Sequence, residues 1–150
     1  MKEEKSTKIA ARQERVPRDG PKISVEEEKA GIVYIHSTYN NTIIHITDLS
    51  GNTIAQISGG KVTKYSRLKA TPTVAMFAAK RAAEIAKEQG INSLYVRIKS
   101  KAGSTSTGPG AHAAVKSLSK EGLKIINILE TTPVPRGGPK KRGGRRGRRV

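Results

Sequence analysis

Beyond Ser58 the chain cannot extend its sheet by tight hairpins. The β-rich runs at 91–99 and 124–131 are each reached through a helical pattern, over 72–90 and from Ala111 to about Gly122. Crossovers of roughly a dozen residues or more favour parallel pairing, so these strands are predicted to lie in a layered α/β sheet. Pro72 suits the first turn of the first helix and Thr71 its N-cap; Val74, Phe77, Ala78, Ala82, Ile85 and Ala86 then recur at helical spacing until Gly90. Ala111, Ala114, Val115 and Leu118 mark the second helix. In the strand between them, Leu94, Val96 and Ile98 share one face while Tyr95, Arg97 and Lys99 share the other. Ile125, Ile126, Ile128 and Leu129 mark the last strand.

The preceding segment reads differently. Ile32, Val33, Tyr34 and Ile35 form one β-rich run, Tyr39-Asn40-Asn41 supplies turn chemistry, and strands follow over 42–48 and 53–58, separated by a turn containing Gly51. Three strands with short links make an antiparallel meander. The predicted element order is therefore βββαβαβ. Gly59-Gly60 ends the meander, and residues 61–72 are predicted to be a basic loop.

Charge separates this body from its ends. The formal net charge is +17, of which residues 1–29 carry +1, residues 30–135 carry +8 and residues 136–150 carry +8. Residues 1–29 mix both signs without a sustained apolar period, and residues 133–150 hold one proline-rich step and then a glycine-basic run, so both ends are predicted to be extended or disordered. The predicted division is an arm over 1–29, an α/β domain over 30–132 and a basic tail over 133–150. So large a positive excess points to a polyanionic partner.

Arg136, Lys140, Lys141, Arg142, Arg145, Arg146, Arg148 and Arg149 are the densest candidates for phosphate contact. Five interleaved glycines let the backbone bend so that successive guanidinium forks reach successive phosphates. A solvated tail or a nuclear import signal would have the same composition. Lys61, Lys64, Arg67 and Lys69, and Lys99, Lys101, Ser104 and Thr105, form two further clusters expected at strand ends, each also readable as an ordinary solvated loop. Gly108-Pro109-Gly110 precedes a helix and could offer amides to a phosphate, but it lacks the lysine and hydroxyl of a nucleotide-binding loop. Asn40 and Asn41 have amides able to reach base edges or 2′-hydroxyls, although asparagine also tolerates left-handed turns. Five aromatic residues, Tyr34, Tyr39, Tyr65, Phe77 and Tyr95, suggest no paired stacking platform, which favours folded RNA read by shape.

Catalysis finds little support. A ribonuclease-H-type nuclease needs clustered carboxylates for two divalent metals, yet the body has only Asp48, Glu84, Glu88, Glu121 and Glu130, and its first strand has none. His36, His45 and His112 are scattered, and the absence of cysteine excludes thiolate sites and disulfides. No enzyme activity, metal, cofactor or small-molecule substrate is expected. No stretch approaches the roughly 18 apolar residues of a membrane span, so no membrane partner is expected either.

Taken in order, Tyr39-Asn40-Asn41-Thr42-Ile43, Thr47-Asp48, Ser58-Gly59-Gly60, Gly108-Pro109-Gly110-Ala111, Thr132-Pro133-Val134-Pro135 and the run from Lys141 to Arg149 strongly resemble the universal ribosomal protein S-eleven family. The resemblance covers roughly residues 30–150, and the Gly-Gly-Arg-Arg-Gly-Arg-Arg ending is similar to the archaeal and eukaryotic branch, whose eukaryotic members are called small-subunit protein S-fourteen. It implies a ribonuclease-H-like three-layer mixed sheet used as a scaffold on the platform of the small subunit. It also implies ribosomal RNA and neighbouring small-subunit proteins as partners, with messenger RNA close by at the exit region and E site. By the same resemblance Asn40, Asn41, Thr42 and the arginine-rich tail are ribosomal RNA contacts. Location in the cytoplasmic ribosome follows, with nucleolar passage during assembly for a eukaryotic member. The chain departs from the usual archaeal and eukaryotic pattern between Gly60 and Pro72, where an acidic stretch is replaced by residues 61–69 with four cations and no acid. A general nucleic-acid binder with a basic tail is the competing reading; it predicts equal affinity for duplex DNA and unrelated RNA.

Overall fold

The computed structural model describes residues 29–103 and 106–138. Residues 1–28 of the expected amino-terminal arm, Ser104 and Thr105, and the tail cations from Lys140 to Arg149 lie outside these residues, whereas Lys29, assigned to the arm, opens the first strand.

Alternation of β-branched and polar residues builds β1 (Lys29–Ser37), in which Val33 and Ile35 are fully buried and Tyr34 is exposed. β2 (Thr42–Asp48) and β3 (Thr53–Ser58) continue it as the predicted antiparallel meander. The turn between them needs Gly51, whose φ is +90° and whose amide donates to the Asp48 carbonyl at 3.0 Å. β4 (Ile91–Lys99) then pairs parallel with β1, and β5 (Lys124–Glu130) parallel with β4, giving a mixed five-stranded sheet in the order β3-β2-β1-β4-β5. The α/β class and the parallel crossovers expected from the two helical patterns are both present.

The helices are α2 (Pro72–Glu88) and α3 (Gly110–Lys120), preceded by the single turn α1 (Gly59–Val62). The buried stripe of α2 consists of Val74 and six alanines, so the helix lies close to both the sheet and α3. Gly110 marks the tightest approach: a Cβ there would collide with Thr42 Oγ1 and stand 2.9 Å from Ala75 Cβ. Beneath the helices, Ile44, Ile46, Leu94, Val96 and Leu118 complete a single core with Val33 and Ile35. Each such side chain contributes about 1.5–3 kcal/mol through burial.

Two expectations are corrected. Residues 61–72 are not a plain loop: α1 and a 3-10 turn over Ser66–Leu68 order the segment, because Gly59 sits buried against the Lys69 carbonyl where no Cβ would fit. Phe77 falls outside the buried stripe of α2 and is 60 % exposed. Thr71 is the N-cap of α2 as expected, its carbonyl accepting from the Ala75 amide at 3.1 Å, but its side chain makes no cap bond; its Oγ1 donates to the Leu68 carbonyl at 2.7 Å. The core joins α2 and α3 to the face of the sheet carrying Val33, Ile35, Ile44 and Val96, and no described element covers the other face. The mixed α/β sheet that the resemblance implies is thus present, with the described helices on one face.

Candidate nucleic-acid interface

Strand direction decides where the cations go. β1, β3, β4 and β5 all run the same way and β2 runs against them, so four strand carboxyl ends meet at one end of the sheet. α2 and α3 both begin at that end, because each follows a strand ending there and leads to one starting at the opposite end. The positive ends of both helix dipoles therefore add to the same region. Lys61, Lys64 and Arg67 after β3, Lys99 at the end of β4, Lys101 after it, and Arg136 beyond β5 are all exposed there. Of the five carboxylates between residues 30 and 135 only Glu130 lies at this end; Asp48, Glu84, Glu88 and Glu121 sit toward the other. Residues far apart in sequence thus form one cationic end.

Backbone and side-chain contacts tie these loops together. Thr38 closes the β1–β2 loop: its amide donates to the Asn41 carbonyl at 2.9 Å and its Oγ1 accepts from the Asn41 amide at 3.1 Å. The Gly108 amide donates to the Ser37 carbonyl at 3.3 Å, and a Cβ on Gly108 would stand 2.7 Å from the Thr38 carbonyl oxygen. Across the loops, the hydroxyls of Tyr39 and Ser106 are 2.8 Å apart. The root of the tail is held by Ser100 N–H donating to Thr132 Oγ1 at 3.0 Å and Gly103 N–H donating to the Pro133 carbonyl at 3.3 Å. The chain therefore leads to Arg136 from a point anchored at Thr132 and Pro133 to the loop after β4.

The individual candidates divide by exposure. Asn40 is exposed, and neither Asn40 nor Asn41 has positive φ, so left-handed geometry does not account for the pair. The Asn41 side-chain oxygen accepts from the Thr42 amide at 3.0 Å and packs beside Gly59, leaving Asn41 half-buried. Thr42 is fully buried, its hydroxyl 3.4 Å from that of Ser37, so its side chain holds the loop and cannot itself reach a ligand from there. Lys69 is half-buried, its stem beside Gly60. Lys61 donates to the Gln56 carbonyl at 2.7 Å, which fixes its ammonium at the β3 edge. The amide of Gly108 is occupied by Ser37, which removes the first donor expected of a phosphate cradle before α3.

A second cluster escaped the reading of the sequence. Strand alternation and register place Ile32, Tyr34, His36, His45, Tyr95, Arg97 and Lys99 on the uncovered face of the sheet. Arg97 lies over the Tyr34 ring at 5.6 Å, and the Tyr34 and His45 rings are 6.0 Å apart. His45 Nε2 and Thr53 Oγ1 are 2.9 Å apart, so flat and polar groups run in a row from β4 to β3. Tyr95 pairs with Ile32 and is therefore a diagonal neighbour of Tyr34. Tyr34 and Tyr95 thus share one face of the sheet, a placement that their separation in sequence did not show. The period-two pattern of β1 and β4 held half of this signal; the pairing of those strands held the rest.

Among the described residues no three histidine, aspartate or glutamate side chains gather to hold a metal ion. What the geometry offers is a cationic end and an aromatic-basic face, both suited to nucleic acid. The family model for ribosomal protein S11 matches residues 31–146, a span that takes in most of β1, the other four strands, every helix and most of the arginine-rich tail. This chain belongs to the ribosomal protein S11 family, whose members are structural, ribosomal RNA-binding components of the small subunit.

Proposed function

We propose that the chain sits on the platform of the small subunit near the E site and the messenger RNA exit region, holding ribosomal RNA helices in place and supporting subunit assembly. The observation that carries this reading is the gathering of Lys61, Lys64, Arg67, Lys99, Lys101 and Arg136 at one end of the sheet, on the side from which the tail departs. Exposed cations on a rigid end position the protein against phosphates, while the folded body fixes their spacing. Asn40 at the same end supplies an amide for a base edge or 2′-hydroxyl, with Asn41 and Thr42 shaping the loop that presents it. Lys69 supports this end from its half-buried position, and the cations from Lys140 to Arg149 extend the same field along the RNA. Replacement of the archaeal and eukaryotic acidic stretch by residues 61–69 strengthens phosphate attraction at this end. Neighbouring small-subunit proteins are the natural cover for the apolar edge of β5, where Ile126 is 46 % and Ile128 51 % exposed.

Sucrose-gradient sedimentation of a lysate in high salt tests this function. The intact chain is expected to travel with small subunits, and a chain lacking residues 136–150 to be retained less. An intact chain that stays at the top of the gradient, or follows DNA, would overturn the reading.

A further inference from the structure

The uncovered sheet face holds a groove of roughly 430 Å3 between β1, β4 and β5, lined by Ile32, Leu49, Tyr95, Arg97, Asn127 and Leu129. We propose that this groove receives one unstacked nucleotide of a single-stranded RNA segment, making it a base-binding site separate from the cationic end. The inference rests on the RNA-binding reading above and adds a ligand class to it.

Each part of a nucleotide finds a match. The volume falls within the range of about 300–1,000 Å3 usual for small-ligand sites. Ile32, Leu49 and Leu129 give apolar walls, with Leu49 61 % exposed and Leu129 51 % exposed. Tyr95, 39 % exposed, offers a ring on which a base can stack, and Asn127 offers both an amide donor and an acceptor at the edge. Arg97 lies over Tyr34 at the rim, so its guanidinium is already oriented when a phosphate arrives. Lys99 follows two residues along on the same face, one step along the path of a backbone. The strand residues on this face include no carboxylate, so no like charge on the strands repels the phosphate.

Charge decides between RNA and a protein occupant. A purely apolar partner would leave Arg97 and Lys99 to be desolvated without counter-charge, whereas an RNA strand meets the cations and the ring together. A duplex does not fit, because its bases are stacked and cannot enter a groove.

The test uses the full chain and fluorescence anisotropy with two labelled probes, a single-stranded dodecamer of adenylate and an RNA duplex of equal length. Tyr95→Leu and Asn127→Leu are compared with Tyr95→Phe, each checked for folding by circular dichroism. Stacking of one base corresponds to about a 5-fold change or more in affinity. Tyr95→Leu is therefore expected to weaken dodecamer binding at least about 5-fold, with duplex binding unchanged and Tyr95→Phe close to wild type. Equal dodecamer affinity in all variants overturns the proposal and leaves the face to a protein partner. A parallel loss for dodecamer and duplex also overturns it. Failure of the wild-type chain to bind small-subunit ribosomal RNA would instead sink the broader reading, which separates the two.

Discussion

At the scale of single residues, close backbone approach sets the strictest demands. Gly110 lies where α3 meets both Thr42 and Ala75, and an added Cβ would have to displace a buried hydroxyl and the first turn of α2. Gly110→Ala is expected to lower stability by about 1–3 kcal/mol, the usual cost of overpacking, visible as a lower urea midpoint at unchanged slope. Gly60 is the contrast, since the nearest atom to its added Cβ is 3.7 Å away on the Lys69 stem and the residue lies in a helical turn without positive φ. Gly60→Ala should be neutral or stabilising by up to about 1 kcal/mol. The same scale explains why Thr42 misleads a reader of the sequence. A threonine beside two asparagines looks like part of a binding loop, but its small hydroxyl pairs with that of Ser37 inside the protein and leaves Asn40 as the exposed member.

At the scale of elements, α2 and β5 face opposite problems. The alanine stripe of α2 is buried against the sheet and α3, so Ala82→Leu inserts volume where none is free and should cost about 1–3 kcal/mol in a denaturant titration. β5 is an edge strand with Ile126, Ile128 and Leu129 about half exposed, a surface prone to pair with other chains in the free protein. Ile128→Lys should leave stability within about 0.5 kcal/mol and raise the concentration at which the purified chain begins to scatter light. The elements themselves were largely legible: β-branched alternation marks β1 to β3, and the 3.6-residue period marks α2 and α3. Partner choice was not, because the join of β1 to β4 depends on a crossover of more than fifty residues, and only that join brings Tyr34 beside Arg97. α1 was hidden for a related reason. Gly59-Gly60 looks like a break locally, while the packing of Gly59 against the Lys69 carbonyl and Asn41 holds it in a helical turn. Phe77 fits the helical period, but Val74 and six alanines fill the narrow space under α2, so the larger ring is left outside.

At the scale of the whole molecule, the cationic end of the body and the tail should act as one electrostatic surface with separable parts. The body end supplies six exposed cations at fixed spacing, counting Arg136 at the root, while the tail from Arg136 onward supplies eight basic residues in all. Each phosphate neutralised releases counterions and adds about 0.7–0.9 to the slope of log affinity against log salt. If every tail cation meets a phosphate, removal of residues 136–150 should reduce that slope by about 6 in a titration against ribosomal RNA. Charge reversal of Lys64 and Arg67 to glutamate should have a smaller effect on the slope, because two contacts are lost, but a larger effect on selectivity, because the rigid end sets geometry and the tail does not. Anisotropy measured from low to high salt, with platform RNA and an unrelated RNA of equal length, separates these effects. A truncated chain that keeps its preference for platform RNA while losing salt dependence would assign recognition to the folded end and affinity to the tail. A truncated chain that loses preference and salt dependence together would assign both to the tail, and the clustering of cations at the sheet end would then have no part in recognition.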